Sequence, residues 1–197
     1  QTVHKPSLIR HLFAFAAAFP AQHVSYNKML GQLQDVGNTT TIAHYLKLLE
    51  TAFLASGLEL YSAGRGRRRG SSPKLILWNS ALIHALSPLT FAEARRDRPW
   101  WGRVVENAVG AHLLNNLPGP TWQVTYWRDG DKEVDFVVTH GRDVWALEVK
   151  SGSPGRISGL AAFRARYPSS HALIIGGQGI PLDTFFARSP SDFLSRH

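Results

Sequence analysis

Asp135, Glu148 and Lys150 form the spacing Asp-x12-Glu-x-Lys. Between the two acids, Gly141-Arg142 separates two alternating runs, as a two-residue hairpin loop with Gly first does. Counting outward from His140 opposite Asp143, such a loop sets Asp135 across from Glu148 and Glu133 across from Lys150. The other face of the hairpin then carries Val134, Phe136, Val138, Trp145, Leu147 and Val149, all apolar. A one-residue slip would place charges on that face, so the alternation itself argues for the register. Two carboxylates directly across neighbouring strands repel each other. A divalent cation between them removes the repulsion, and oxygen ligands suit a hard ion such as Mg²⁺ or Mn²⁺. Lys150 would then orient or deprotonate an attacking water, or stabilise charge on a phosphoryl oxygen. Glu106, on a preceding helix with Gly110 one turn later, is a fourth candidate, an acid that could complete the metal shell. Taken alone, Glu-x-Lys also fits a solvated strand face with cross-strand ion pairs.

The elements that must position these residues read as αβββαβ. A helix from Pro99 to about Asn116 has Val105, Val109 and Leu113 as its buried stripe, and Pro118-Gly119 breaks it. Strands follow at Gln123 to Trp127, Glu133 to Val138 and Val144 to Lys150. A helix from about Arg156 to Tyr167 and an apolar strand from Ala172 to Ile175 complete the order. The fold class expected is α+β or α/β with a mixed sheet.

Upstream, the chain reads helix, helix, helix, hairpin. Ser7 to Phe19 ends at Pro20, Ser25 caps a short helix closed by Gly37, and Asn38 or Thr39 caps a third. On the third helix Ile42, Tyr45, Leu46, Leu49 and Phe53 follow the 3.6 period, and Thr40, His44, Lys47 and Thr51 lie on the opposite face. Extended runs at Leu54 to Tyr61 and Lys74 to Trp78 flank a tip containing Arg65, Arg67, Arg68 and Arg69. Three helices and a basic-tipped hairpin make a winged-helix arrangement. There the third helix (Thr40, His44, Lys47) would meet the major groove, and the tip arginines, with Lys74, would meet phosphates. A solvated loop, or a protein-docking unit, has the same pattern. A polar and basic stretch between prolines near residues 87–100 reads as the joint, giving a winged helix at 1–90 and a second domain at 91–197.

Charge follows the same division. Residues 1–98 hold 12 Lys/Arg and 5 Asp/Glu, a balance of +7, whereas residues 99–197 hold 10 and 9, a balance of +1. A basic half beside a balanced half suits a polyanion partner such as DNA, and equally suits ordinary solubility charge. Cysteine is absent, which excludes a disulfide framework and thiolate chemistry and fits a cytoplasmic protein. No apolar run is long enough for a membrane span. There is no Gly-x4-Gly-Lys-Ser/Thr, so no ATP site of that kind, and no Gly-x-Ser-x-Gly elbow. The nine histidines show no metal-ligand spacing. The oligomeric state is not legible, and the chain reads as a piece of a longer protein.

Glu106-Asn107, Tyr126-Trp127-Arg128, Glu133-Val134-Asp135-Phe136-Val137-Val138 and Leu147-Glu148-Val149-Lys150-Ser151-Gly152 resemble the C-terminal region of a large family of prokaryotic AAA-type ATPases, a domain of unknown function. Tyr45 to Glu50 and Pro73-Lys74-Leu75 extend the resemblance upstream. It implies a winged helix followed by a restriction-endonuclease-like core of the PD-(D/E)XK type. The acids matching Asp135 and Glu148 would bind metal, the lysine matching Lys150 would assist catalysis, and Glu106 would contribute. Val134 stands where a Pro is usual, and the family's ATPase module is not in this chain. The function expected is a Mg²⁺-dependent DNA phosphodiesterase, with Asp135, Glu148 and the Val149 carbonyl holding the ion. The alternative is a non-catalytic DNA- or protein-binding regulatory module of such an ATPase.

Overall fold

A computed structural model describes residues 5–33, 37–63, 72–152 and 158–194. The first part is built of α1 (Pro6–Ala18), α2 (Tyr26–Gln32) and α3 (Thr39–Thr51), followed by the antiparallel pair β1 (Ala55–Leu58) and β2 (Lys74–Leu77). The expected caps are present: the Ser25 side chain accepts from Lys28 N–H, and that of Asn38 from Thr41 N–H. Residues 21–24 lie along the free edge of β2, with Ala21 N–H donating to Leu75 C=O at 2.8 Å and Leu75 N–H to Gln22 C=O at 3.0 Å. The start of β2 is therefore held from both sides.

The stretch read as a linker is largely helical: α4 (Ala81–Leu86) and α5 (Phe91–Arg96) precede α6 (Arg98–Asn116). The signal was in the sequence. Thr90-x-x-Glu93 forms a capping box, in which the Thr90 hydroxyl accepts from Glu93 N–H and the Glu93 carboxylate accepts from Thr90 N–H. The flanking prolines masked it. Pro99 itself lies in the first turn of α6, where it costs no hydrogen bond.

The second sheet comprises β3 (Trp122–Asp129), β4 (Lys132–His140), β5 (Asp143–Lys150) and β6 (His171–Gly176), in that spatial order. The first three are antiparallel and β6 runs parallel to β5 after the crossover helix α7 (Ser158–Arg166). Helix α8 (Leu182–Phe186) and a 3-10 turn at Pro190–Asp192 follow. The element order αβββαβ and the mixed sheet agree with expectation. The β4–β5 register also agrees over the pairs His140↔Asp143 to Phe136↔Leu147, and Gly141 turns the hairpin at φ +60°.

Both faces of this sheet are covered. Phe136, Val138, Trp145 and Leu147 pack with Val109 and Leu113 of α6, whereas Val137 and Ala146 pack with Leu160 and Phe163 of α7. The hairpin is thus buried on the face expected to be acidic as well as on the apolar one. Gly110 lets α6 approach closely: a Cβ there would stand 2.9 Å from the Phe136 ring and 3.0 Å from Ile76. No described helix is long and apolar enough to cross a membrane.

Candidate metal centre

The acids gather where β4 bulges against β3 and stops pairing with β5. Thr125 faces Val137 but Trp127 faces Val134, so β4 carries one extra residue at Asp135-Phe136 opposite Tyr126. Such a bulge re-aims the side chains beyond it. Val134 moves to the α7 side of the sheet, with Trp127 and Val137, rather than continuing the Phe136 row. Glu133 turns toward His23 and Lys74 instead of facing Lys150, as strict alternation had implied.

On the β5 side, pairing with β4 ends at Phe136↔Leu147. The next Val149 N–H donates to Asp135 Oδ2 at 2.7 Å, so a side-chain carboxylate takes the bond and is itself fixed in direction. Glu148 and Lys150 project from the same face of β5, and Lys150 Nζ donates to Glu148 Oε1 at 2.7 Å. Glu148 Oε2 is buried and has no hydrogen-bond partner among the described residues. Burial pushes the Glu148 carboxyl up to about 7, and the nearby Asp135 charge adds to the shift against the pull of Lys150.

Lys74 overturns one expectation. Placed by its position among the phosphate contacts, it is 0% exposed. Its ammonium enters the acid cluster, paired with Glu106, donating to Asp135 C=O at 3.0 Å, and 3.4 Å from Glu133 Oε1. Asp135 Oδ1 stands 3.8 Å away and the Phe136 ring centroid 5.1 Å. Burial alone would lower its pKa, but Glu106, Asp135 and Glu133 more than reverse that and hold it charged. Glu106 is pushed up to about 8, by burial first and by Asp135 second, with Lys74 opposing.

Carboxylate oxygens of Glu106, Glu133 and Asp135 all lie within 4.8 Å of one another. Four acids therefore converge on this end of the sheet, but in two groups. Asp135 belongs to both, Glu148 to one with Lys150, and Glu106 and Glu133 to the other around Lys74. Glu106 thus faces an ammonium, where a place in a metal shell with Asp135 and Glu148 had been expected. Sequence reasoning missed Lys74 and Glu133 as members of the cluster, and also His23, whose Nε2 is 3.5 Å from Glu133 Oε1. Burial, with Lys74 and Arg128 nearby, lowers His23 to about 3, so it is neutral.

Asn107 accounts for how Glu106 is delivered. Fully buried, it accepts from Leu77 N–H at 2.9 Å and donates to Leu77 C=O at 3.1 Å and Ser80 Oγ at 3.2 Å, stitching α6 to the end of β2. On the other side, a Cβ at Gly159 would collide with the Glu133 carbonyl, so only glycine lets α7 sit against the bulged strand. Thr40, His44 and Lys47 lie on the exposed face of α3, Lys47 paired with Glu50 at 2.9 Å. Arg65, Arg67, Arg68 and Arg69 lie outside the described residues.

Residues 101–183 match the family model described as "Domain of unknown function (DUF4143)", a domain typically found C-terminal of AAA ATPases. Residues 1–93 match "Domain of unknown function (DUF8612)". Uncharacterized proteins of Mycobacterium bovis and Mycobacterium tuberculosis are each 29% identical over 154 residues, which cover 72% of this chain. The chain spans about a third of the length of these curated relatives, 34% in each case. The crystal structure of protein VC1899 from Vibrio cholerae aligns over 92% of this chain and 44% of its own, at 13% identity and a TM-score of 0.23, too slight a likeness to relate the folds.

Proposed function

We propose that this chain carries a metal-dependent phosphodiesterase site of the PD-(D/E)XK type that acts on DNA, with Asp135, Glu148 and the Val149 carbonyl holding Mg²⁺ or Mn²⁺. The observation that carries this reading is Glu148 Oε2, a buried carboxylate oxygen with no hydrogen-bond donor among the described residues. Such an atom is costly, and a divalent ion would satisfy it while also quenching its repulsion with Asp135. The donor set is all oxygen, which suits these ions. When bound, the ion would supply Lewis-acid polarisation of the phosphodiester and acidify a water. The chain's own residues supply position and charge. Val149 N–H fixes the Asp135 carboxylate, and Lys150, on Glu148 Oε1, presents a cation to a developing phosphoryl charge.

In this reading, residues 1–90 act as a winged helix that holds the duplex, through Thr40, His44 and Lys47 on α3 and the arginines at 65 and 67–69. The whole belongs to a longer ATPase. The test is incubation of the purified chain with plasmid and short duplexes in Mn²⁺ or Mg²⁺. Cleavage is expected, and its survival in both Asp135→Ala and Lys150→Ala would refute the assignment. A second reading, a non-catalytic regulatory module, is favoured by the engagement of Glu106 with Lys74 rather than with a metal shell. It predicts DNA binding that weakens with salt and with neutralisation of Arg67 to Arg69, without cleavage.

A further inference from the structure

Three carboxylates within 4.8 Å of one another need a cation, and here the polypeptide provides one. An ammonium has three protons to donate. Lys74 Nζ is ion-paired with Glu106 and donates to the Asp135 carbonyl and, at longer range, to Glu133 Oε1. The side chain has no freedom to leave: it is 0% exposed, and its backbone is paired with Leu58 on one side and bridged to His23 on the other. Glu106 and Glu133 are thereby committed to a monovalent cation that belongs to the chain.

We propose that Lys74 is a positioning residue that fills the cation position of this second carboxylate group, so that the chain takes up one divalent ion at Asp135 and Glu148 instead of two. The inference rests on the reading of Asp135 and Glu148 as metal ligands for its count of ions, but not for the role of Lys74. The N-terminal part of the chain, through β2, thus determines how many ions the acidic end of the sheet accepts. Asp135 is the shared member, with Oδ2 tied to Val149 N–H and its carbonyl and Oδ1 facing Lys74. Lys74 therefore also orients the ligand that the two groups have in common.

The experiment compares the wild-type chain with Lys74→Met, which keeps the length and removes the charge, and with the double variant Lys74→Met/Glu106→Gln. Bound Mn²⁺ is counted by electron paramagnetic resonance, and melting is followed in EDTA and in Mn²⁺. The wild type is expected to bind one Mn²⁺ and Lys74→Met two. Lys74→Met should also melt about 5–10 °C higher in Mn²⁺ at about 100 times Kd than in EDTA, beyond any shift of the wild type. The double variant, with one carboxylate fewer, should regain stability in EDTA and lose the added ion. An unchanged ion count in a folded Lys74→Met overturns the proposal. If that variant does not fold in either medium, folding of the double variant in EDTA supports the proposal and its failure to fold overturns it. Wild-type protein that binds no Mn²⁺ would refute the Asp135–Glu148 reading alone, and a rise from zero to one ion in Lys74→Met would still support the role of Lys74.

Discussion

The two ends of the β4–β5 hairpin are built on opposite terms. At the turn end the strands stay in register and aromatic rings stack across the sheet. Trp122 lies 4.3 Å from His140 and 5.7 Å from Trp145, and Trp145 lies 6.0 Å from His171, all within 27° of parallel. At the other end a bulge breaks the ladder, a carboxylate takes a backbone hydrogen bond, and four acids and two lysines converge. The turn end is held by local, neighbour-to-neighbour contacts. The acidic end is held by long-range ones: Lys74 reaches partners 59 and 61 residues away, and Asn107 reaches back 30 residues. The first kind of order stabilises a sheet; the second kind arranges groups that would otherwise repel.

Substitutions at each end should separate these roles. The largest effect is expected at Gly159, where an added methyl meets the Glu133 carbonyl. Gly159→Ala should lower stability by roughly 3 kcal/mol or more in urea denaturation, because backbone on both sides must shift. Asn107→Ala leaves the Leu77 N–H and C=O buried without partners and should cost about 2–3 kcal/mol by the same measurement. At the turn end, Trp122→Ala removes a half-buried stacked ring and should cost about 1–2 kcal/mol. Its Mn²⁺ affinity should stay at the wild-type value, whereas Asp135→Ala should abolish binding. A Trp122 variant that loses the ion as fully as Asp135→Ala would erase the distinction between the two ends.

A last effect is one of pH. Glu148 has its ordinary value near 4.5 raised to about 7 in the folded protein, through burial and then Asp135. The folded state therefore binds this proton more tightly than the unfolded one. The resulting stabilisation is complete below about 4.5 and is lost as pH rises through about 7. In EDTA, Glu148→Gln should flatten this part of the stability–pH curve measured by thermal melting; an unchanged slope would show that Glu148 does not cause it.

These contrasts explain what could be read from the chain. Alternation from Phe136 to Leu147 and the Gly141 turn specify the hairpin register, because every wrong register exposes apolar residues or buries charges. The same rule fails at Asp135, since a bulge inserts a residue without any change in composition. Lys74 was misplaced for a related reason. Next to an arginine-rich tip a lysine resembles one more phosphate contact, and its acids lie far along the chain. Asn107 had a local neighbour in Glu106, but its partners Leu77 and Ser80 became neighbours only when α6 lay along β2. The capping box at Thr90 and Glu93 was legible, but it lies between prolines, a setting shared with linkers.

The interleaved cores have a consequence for how the chain melts. Ala21, Leu58 and Ile76 lie in one buried cluster with Phe136, Leu147 and Ile175, while Val104 of α6 lies among the helices of the first part. Neither of the two matched segments closes its own apolar interior. Both should lose structure in a single cooperative transition, with calorimetric and van't Hoff enthalpies equal, and a fragment starting at residue 94 should collapse without fixed packing. For this chain, the unit of folding is larger than the unit of family resemblance.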